Sequence, residues 1–287
     1  MIPIQWKQND KKTMHVNEAE NGVVYLTWPA IEKIEGIRHA FSTRIGGVSK
    51  EHLSSMNLSF SRGDDPANVR ENYRRFCEAA GFEVENIVTS DQTHTTKVRY
   101  VTKADCGSGV TRDRDFHDID GMITDEPGVV LATFYADCVP LYFVDPVHRA
   151  IGLSHSGWRG TVLKIAEKTV GKMEQCYGTS PEDLMAVICP SIGIDRFETD
   201  GDVLEAFQNS FGILTEDKSL VYKKKNKYHI SVSGFVYRTL LAVGLKSEHI
   251  FYDTRCTYEE DTLFFSHRRD KGNTGAMSAV IATRSGV

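Results

Sequence analysis

Phe134–Thr161 reads FYADCVPLYFVDPVHRAIGLSHSGWRGT, and this stretch decides the fold. Its two apolar runs, Pro140–Val144 and Ala150–Ser154, lack the alternation of a half-exposed sheet. Runs of that kind predict strands covered on both faces. Cys138 stands just before the first run and His155 just after the second. Gly157-Trp158-Arg159-Gly160 follows as a turn that opens a helix. A thiolate, an imidazole and a helix N-terminus with an arginine thus converge on one sheet edge, a combination suited to a transition metal beside an anion.

Similar elements extend to both sides. Gly36–Thr43 predicts a strand ended by the glycine turn after Arg44. Asp65 caps a helix with Pro66 in its first turn. Val69, Tyr73, Phe76, Cys77 and Ala80 share one face of it, and Gly81 stops it. Cys77 therefore reads as core. Short apolar runs at Ile87–Ser90, Val98–Val101, Gly121–Thr124, Val129–Phe134 and Met185–Cys189 predict further strands, as do Ile250–Asp253, Thr262–Ser266 and Met277–Ala282. Helices are predicted from about Thr161 to Tyr177, with Leu163, Ala166, Val170 and Met173 on one face, and over Gly201–Phe211 and Ser231–Val243. Lys223, Lys224, Lys225 and Lys227 read as a solvated loop. Strands interleaved with helices, without a low-complexity linker, predict one α/β or α+β layered domain over residues 1–287. Residues 1–21 are expected to form a flexible N-terminal extension.

Composition removes several function classes. A net charge of -5 and a pI near 6.1, with no Arg/Lys-rich block, argue against nucleic acid as partner. No apolar run reaches the length of a membrane span, and the N-terminus shows no secretory apolar region. The six cysteines are scattered without a CxxC pair and read as free thiols. A soluble, cytoplasmic protein is the expectation.

Three positions carry the chemistry. His155 precedes glycines that permit close backbone approach, beside free helix N–H groups and Arg159; the alternative is a capped helix with a surface ion pair. Cys138 is flanked by Asp137 and Pro140, which interrupt the apolar run. An adjacent carboxylate disfavours the thiolate, so a reactive Cys138 needs a metal or a protonated His155 beside it. His94 lies in the polar stretch Ser90–Lys97 between two strands, where functional loops occur, and nothing local links it to the other two. The phosphate-loop, dinucleotide, zinc-protease, serine-hydrolase and cytidine-deaminase signatures are missing. The remaining histidines form no HxH pair, unlike a multicopper oxidase.

The ordered blocks HAFSTRIGGVS, NLSFSRGDDPANVRENYRRF, QTHTTKV, DGMITDEPGVVLATFYADCVPLYFVD, IGLSHSGWRGT, CPSIG and FYDTRCTYEEDTLFFSHRRDKGNTG run from about Gly36 to Ala282. With them the chain resembles the YfiH/YlmD laccase-domain family, polyphenol-oxidase-type proteins since described as purine nucleoside enzymes. The resemblance implies a layered α/β sandwich of mixed sheets flanked by helices, compared with the catalytic domain of cytotoxic necrotizing factors. It implies zinc on His94, Cys138 and His155, with copper and phenol oxidation as an older attribution. It implies phosphorolysis of adenosine, inosine and methylthioadenosine to free base and ribose 1-phosphate, and deamination of adenosine. Thr95, Ser156 and Ala276 depart from the family pattern, where glycine, alanine and arginine are frequent.

For those reactions Asp137 or Asp120 is the expected proton shuttle. Arg159 with its helix N-terminus, Arg44 and Lys97 are the expected phosphate contacts. Two other readings stand beside this one: a metal-free cysteine hydrolase or transglutaminase-like enzyme with Cys138 as nucleophile and His155 as base, and a catalytically silent nucleotide-binding protein.

Overall fold

The first strand of the described residues, β1 (His15–Glu18), pairs antiparallel with β2 (Val24–Thr27), so part of the expected N-terminal extension belongs to a sheet. The structure, a computed structural model, describes residues 14–284; the rest of that extension, residues 1–13, lies outside them. β2 leads through the single turn α1 (Pro29–Glu32) to β3 (Ile37–Ser42) and then to α2 (Pro66–Ala80). Asp65 caps α2 by accepting the Ala67 N–H at 2.8 Å, and Gly81 ends it in the left-handed conformation. Val69, Tyr73, Phe76, Cys77 and Ala80 are buried, as their spacing requires.

The central chain supplies β4 (Ile87–Thr89), β5 (Val98–Tyr100), β6 (Gly121–Thr124), β7 (Val130–Tyr135), β8 (Val139–Asp145) and β9 (Ala150–Ser156). The remainder adds α3 (Trp158–Val162), α4 (Ile165–Tyr177), β10 (Met185–Ile188), β11 (Glu198–Thr199), α5 (Gly201–Phe211), β12 (Val221–Lys224), β13 (Lys227–Ile230), α6 (Val232–Ala242), β14 (Ile250–Tyr252) and β15 (Met277–Thr283). One six-stranded sheet runs β1-β2-β3-β15-β7-β4 and a second runs β14-β10-β8-β9-β6-β5. Both are mixed: β4–β7, β5–β6 and β10–β14 are parallel and the other pairings antiparallel. β11, β13 and β12 form a small antiparallel sheet of their own.

Alternation along each strand builds the layers. Tyr142, Val144, Ile151 and Leu153 of the second sheet share a buried cluster with Phe41, Leu131, Ala279 and Ile281 of the first. Leu141, Phe143, Ala186 and Ile188 face the other way, onto Val170 and Met173 of α4, Phe207 of α5 and Phe235 of α6. Ala40, Ala132 and Val280 cover Tyr73 and Phe76 of α2. The order is helix, sheet, sheet, helices, which explains the unbroken apolar runs. Tyr142 ties the two sheets together: its hydroxyl donates to the Ala40 carbonyl at 2.6 Å and accepts the Val280 N–H at 3.2 Å.

Three expectations need correction. The helix from Thr161 to Tyr177 begins earlier and is broken. Lys164 adopts φ 65° and redirects the chain, so Leu163 leaves the buried face and stands 56% exposed. Thr262–Ser266 is a series of turns rather than a strand. Leu263, Phe264 and Phe265 are buried, but their backbone bonds go to loops and a sulfur: the Arg44 N–H to Leu263 O at 2.8 Å, and the Phe265 N–H to Met277 Sδ at 3.0 Å. The lysine run is a β12–β13 hairpin, with Lys223 and Lys224 on the edge strand β12, a recognised protection against edge pairing.

Candidate metal centre and cleft

Cys138 occupies the turn from β7 to β8, and β8 pairs with β9 so that Pro140 lies opposite His155. The start of one strand and the end of its neighbour therefore bring thiol and imidazole together. His94 arrives from the loop joining β4 of the first sheet to β5 of the second. Its Nε2 lies 3.8 Å from Cys138 Sγ, and its ring meets the His155 ring edge-on with centroids 4.9 Å apart. One donor atom from each of His94, Cys138 and His155 lies within 4.8 Å of the others.

Asp120 holds this arrangement. It is fully buried just before β6. One carboxylate oxygen accepts the N–H groups of Thr93 at 3.0 Å and Thr95 at 2.9 Å. The other accepts the His94 N–H at 3.2 Å and pairs with His155 Nδ1 at 2.6 Å. Its carbonyl accepts the His155 N–H at 2.8 Å. A single side chain thus fastens the loop to the strand and commits His155 Nδ1, leaving Nε2 toward Cys138. The expected role of Asp120 as a shuttle is corrected to that of an orienting group, because its oxygens are fully engaged.

Electrostatics fit the geometry. Burial pushes the Cys138 thiol up, but His155 and His94 outweigh it and bring it down to about 6. Burial pushes His155 down, but the thiolate and Asp120 outweigh that and raise it to about 9. Burial likewise raises Asp120, and its bonds to His155 and the loop amides carry it below its ordinary value. Both shifts favour, near neutral pH and without a metal, a thiolate beside an imidazolium.

Gly157 is the other requirement. A Cβ there would stand 2.5 Å from His94 Cδ2 and 3.1 Å from Cys138 Sγ. Only glycine leaves room for the three donors, whose soft thiolate and two imidazoles suit zinc or copper. Among the described residues, His94, Cys138 and His155 are the group of three or more side chains placed to hold a metal.

The donors open into a cleft of about 860 Å³. Phe60, Arg62, Arg114, Phe197 and Arg268 line it. Phe60 and Arg62 lie in the block NLSFSRGDD and Arg268 in TLFFSHRRD, both remote from the metal ligands in the chain, whereas Arg114 and Phe197 fall outside these blocks.

Asp137 also lines the cleft, but its carboxylate is occupied. Oδ1 accepts from the Thr257 hydroxyl and Oδ2 from the Arg268 N–H, both at 2.7 Å. Its φ of 94° is strained for a residue with a Cβ. Asp137 is therefore a brace for the Arg268 segment rather than a free proton carrier.

The expected phosphate contacts lie elsewhere. Arg44 gives its donors to the carbonyls of Ser54 and Asp261 and stacks on Phe265. Lys97 is paired with Asp118 near the surface. Arg159 lies over the Trp158 ring at 4.4 Å, on a helix of five residues whose dipole is correspondingly small. None of the three lines the cleft.

Of the family departures, Thr95 serves Asp120 through its backbone, and Ser156 bonds Thr161 at 2.8 Å. Ala276 is buried against Asn57.

A family model described as multi-copper polyphenol oxidoreductase laccase matches residues 38–284. The purine nucleoside phosphorylase YlmD of Geobacillus stearothermophilus is 37% identical over 249 residues, 85% of this chain and 89% of that protein. The purine nucleoside phosphorylase YfiH of Escherichia coli is 34% identical over 254 residues, 88% and 96%. The crystal structure of Geobacillus stearothermophilus YlmD superposes with a TM-score of 0.84 at 35% identity, covering 91% of this chain and 96% of that one.

Proposed function

We propose a function on one premise: the chain belongs to the multi-copper polyphenol oxidoreductase laccase family, the YfiH/YlmD type. It is a zinc-dependent purine nucleoside phosphorylase. It acts on adenosine, inosine and methylthioadenosine with phosphate and deaminates adenosine. The observation that carries this reading is the His94, Cys138 and His155 donor set opening into a cleft with arginine and phenylalanine walls.

Zinc held by three protein ligands would supply Lewis acidity at its open position. The chain's own residues do the rest. Asp120 fixes His155 so that Nε2 stays a ligand atom. Phe60 and Phe197 offer apolar faces for a purine. In phosphorolysis the glycosidic C1′–N9 bond breaks, a phosphate oxygen bonds C1′, and the departing base takes a proton. In deamination water adds at C6 and ammonia leaves. The six cysteines are all free thiols, which supports a reducing compartment and hence the cytoplasm. Among the described residues no helix is long and apolar enough to cross a membrane.

Protein of defined zinc content, incubated with adenosine or inosine and phosphate, should release adenine, hypoxanthine or inosine, resolved by chromatography. Absence of all three would end this reading. Copper is the alternative occupant; phenol oxidation by copper-loaded protein and not by zinc-loaded protein would favour it.

One observation favours a second reading. Asp120, His155 and Cys138 stand in the order of an acid, base and thiol relay. A cysteine hydrolase would alkylate rapidly at Cys138 as isolated and carry no stoichiometric metal.

A further inference from the structure

We infer that Arg62 forms a phosphate-binding subsite beside the donor set. The inference rests on the phosphorolysis reading for its substrate, and on geometry for its location.

Three arginines line the cleft. Arg114 is paired with Asp91 at 3.3 Å and bonds Thr89 at 3.2 Å. One nitrogen of Arg268 donates to the carbonyls of Arg196 and Glu198, at 3.1 and 2.9 Å. Arg62 differs: among the described residues its guanidinium has neither a hydrogen bond nor an ion pair closer than 4.0 Å. It is half-buried and feels the charges of Cys138 and Asp137 across the cleft. Neither satisfies it, since the Asp137 oxygens already accept from Thr257 and Arg268, and Cys138 belongs to the donor set. A guanidinium drawn partly from water and left with unused donors suits an oxyanion that it can grip with two parallel bonds.

The loop carrying Arg62 is rigid. Arg62 ends the 3-10 turn Phe60–Arg62, followed by Gly63 at φ 78°. Buried Asn57 donates to the Ser59 carbonyl at 3.1 Å and to Asp64 at 2.9 Å, and accepts the Ser59 N–H at 3.2 Å. Ser49 also donates to Asp64, at 2.6 Å. Asn72 of α2 holds the Asn57 carbonyl at 2.8 Å. Both sides of the turn are thus anchored to the core, so the arginine is presented without an ordering cost for the loop.

Hydrogen phosphate held there, in the cleft shared with the purine walls, would bond C1′ through one oxygen as the base departs with the C1′–N9 electron pair and takes up the proton that the phosphate gives up. The same chemistry would also hold the 5′-phosphate of a nucleotide.

The test compares wild type, Arg62→Gln and Arg62→Lys, each zinc-loaded. Orthophosphate and inosine 5′-monophosphate are titrated calorimetrically, and phosphate KM is measured at saturating inosine. Loss of a charge-assisted contact should raise the orthophosphate Kd and KM about tenfold or more in Arg62→Gln, with partial recovery in Arg62→Lys and inosine KM little changed. Weakened binding of the nucleotide alone would keep the subsite and assign it to a substrate phosphate. Unchanged affinity for both ligands overturns it. A wild type that binds phosphate through Arg62 but turns over no nucleoside refutes the phosphorylase reading and leaves the subsite standing.

Discussion

His155 Nδ1 lies 2.6 Å from Asp120 Oδ1, and the same carboxylate collects the backbone N–H groups of Thr93, His94 and Thr95. One buried side chain therefore sets the orientation of one donor and the position of another. Asp120→Asn should lower zinc affinity by about 10- to 100-fold, the usual cost of losing such a partner. Competition against a chromogenic chelator measures it. Affinity within twofold of wild type would contradict the role.

Gly157 has no space for a side chain. Gly157→Ala places a methyl against His94 and Cys138, both of them donors. The variant should lose stoichiometric zinc and nucleoside turnover. The clash falls just beyond the ends of β8 and β9 and not within their paired interiors, so the circular dichroism spectrum should stay native. A zinc-replete, active Gly157→Ala would show that the donors sit farther apart than found.

Metal uptake should depend on pH in a defined direction. In the metal-free centre Cys138, near 6, is already ionised at neutral pH, whereas His155, near 9, still carries its proton. Zinc must displace that proton, so apparent affinity should rise about tenfold per pH unit from 6.5 to 9 and then level. Calorimetry in buffers of different ionisation enthalpy should count one proton released at pH 7.5. A count of zero would mean that His155 is neutral before metal binds.

His39 predicts an acid limb of stability. Its Nε2 accepts the Trp28 N–H at 2.7 Å, and burial pushes its pKa down to about 3. The unfolded chain, near 6.5, takes up the proton first. Stability from this group is complete above pH 6.5 and is lost as pH falls toward 3. At pH 5 the loss is about 2 kcal/mol. Urea titrations of wild type and His39→Gln at pH 7.5 and 5 should show a smaller drop for the variant. Equal drops would remove His39 as the cause.

Asp137→Asn separates a brace from a proton carrier. As a brace, Asp137 holds Thr257 and the Arg268 N–H. Weakening it should cost about 1–3 kcal/mol of stability and raise nucleoside KM, with zinc content unchanged. A proton carrier would instead lose kcat and one limb of its pH profile while KM stayed constant.

Much of the fold was legible because burial leaves a periodic trace. The α2 face, its Asp65 cap and its Gly81 stop follow from local rules, and the β8 and β9 runs announce strands covered on both sides. The failures have local causes too. Leu163 fits a helical stripe until the left-handed Lys164 rotates it away. Leu263–Phe265 is apolar enough for a strand but finds loops rather than a ladder to bond. In the site, Cys138 and His155 were legible together because adjacent antiparallel strands make neighbours of their ends. His94 follows only from the family resemblance, and Arg62 and Arg114 of the cleft carry no local signal. Arg44 and Lys97 have suggestive neighbours in sequence, yet each spends its charge on a partner distant in the chain, and Arg159 lies over the adjacent Trp158 ring, outside the cleft lining.

By itself, then, the sequence determined the layered α/β class, the Cys138–His155 pairing and the donor types, since these depend on side-chain period and residue chemistry. Only the tertiary structure decided which carboxylate orients His155, why Gly157 must be glycine and which arginine faces the cleft unpaired. Those depend on distances between residues far apart in the chain, such as Asp120 with His94 and Arg62 with Cys138, which are fixed when two sheets and their connecting loops pack together.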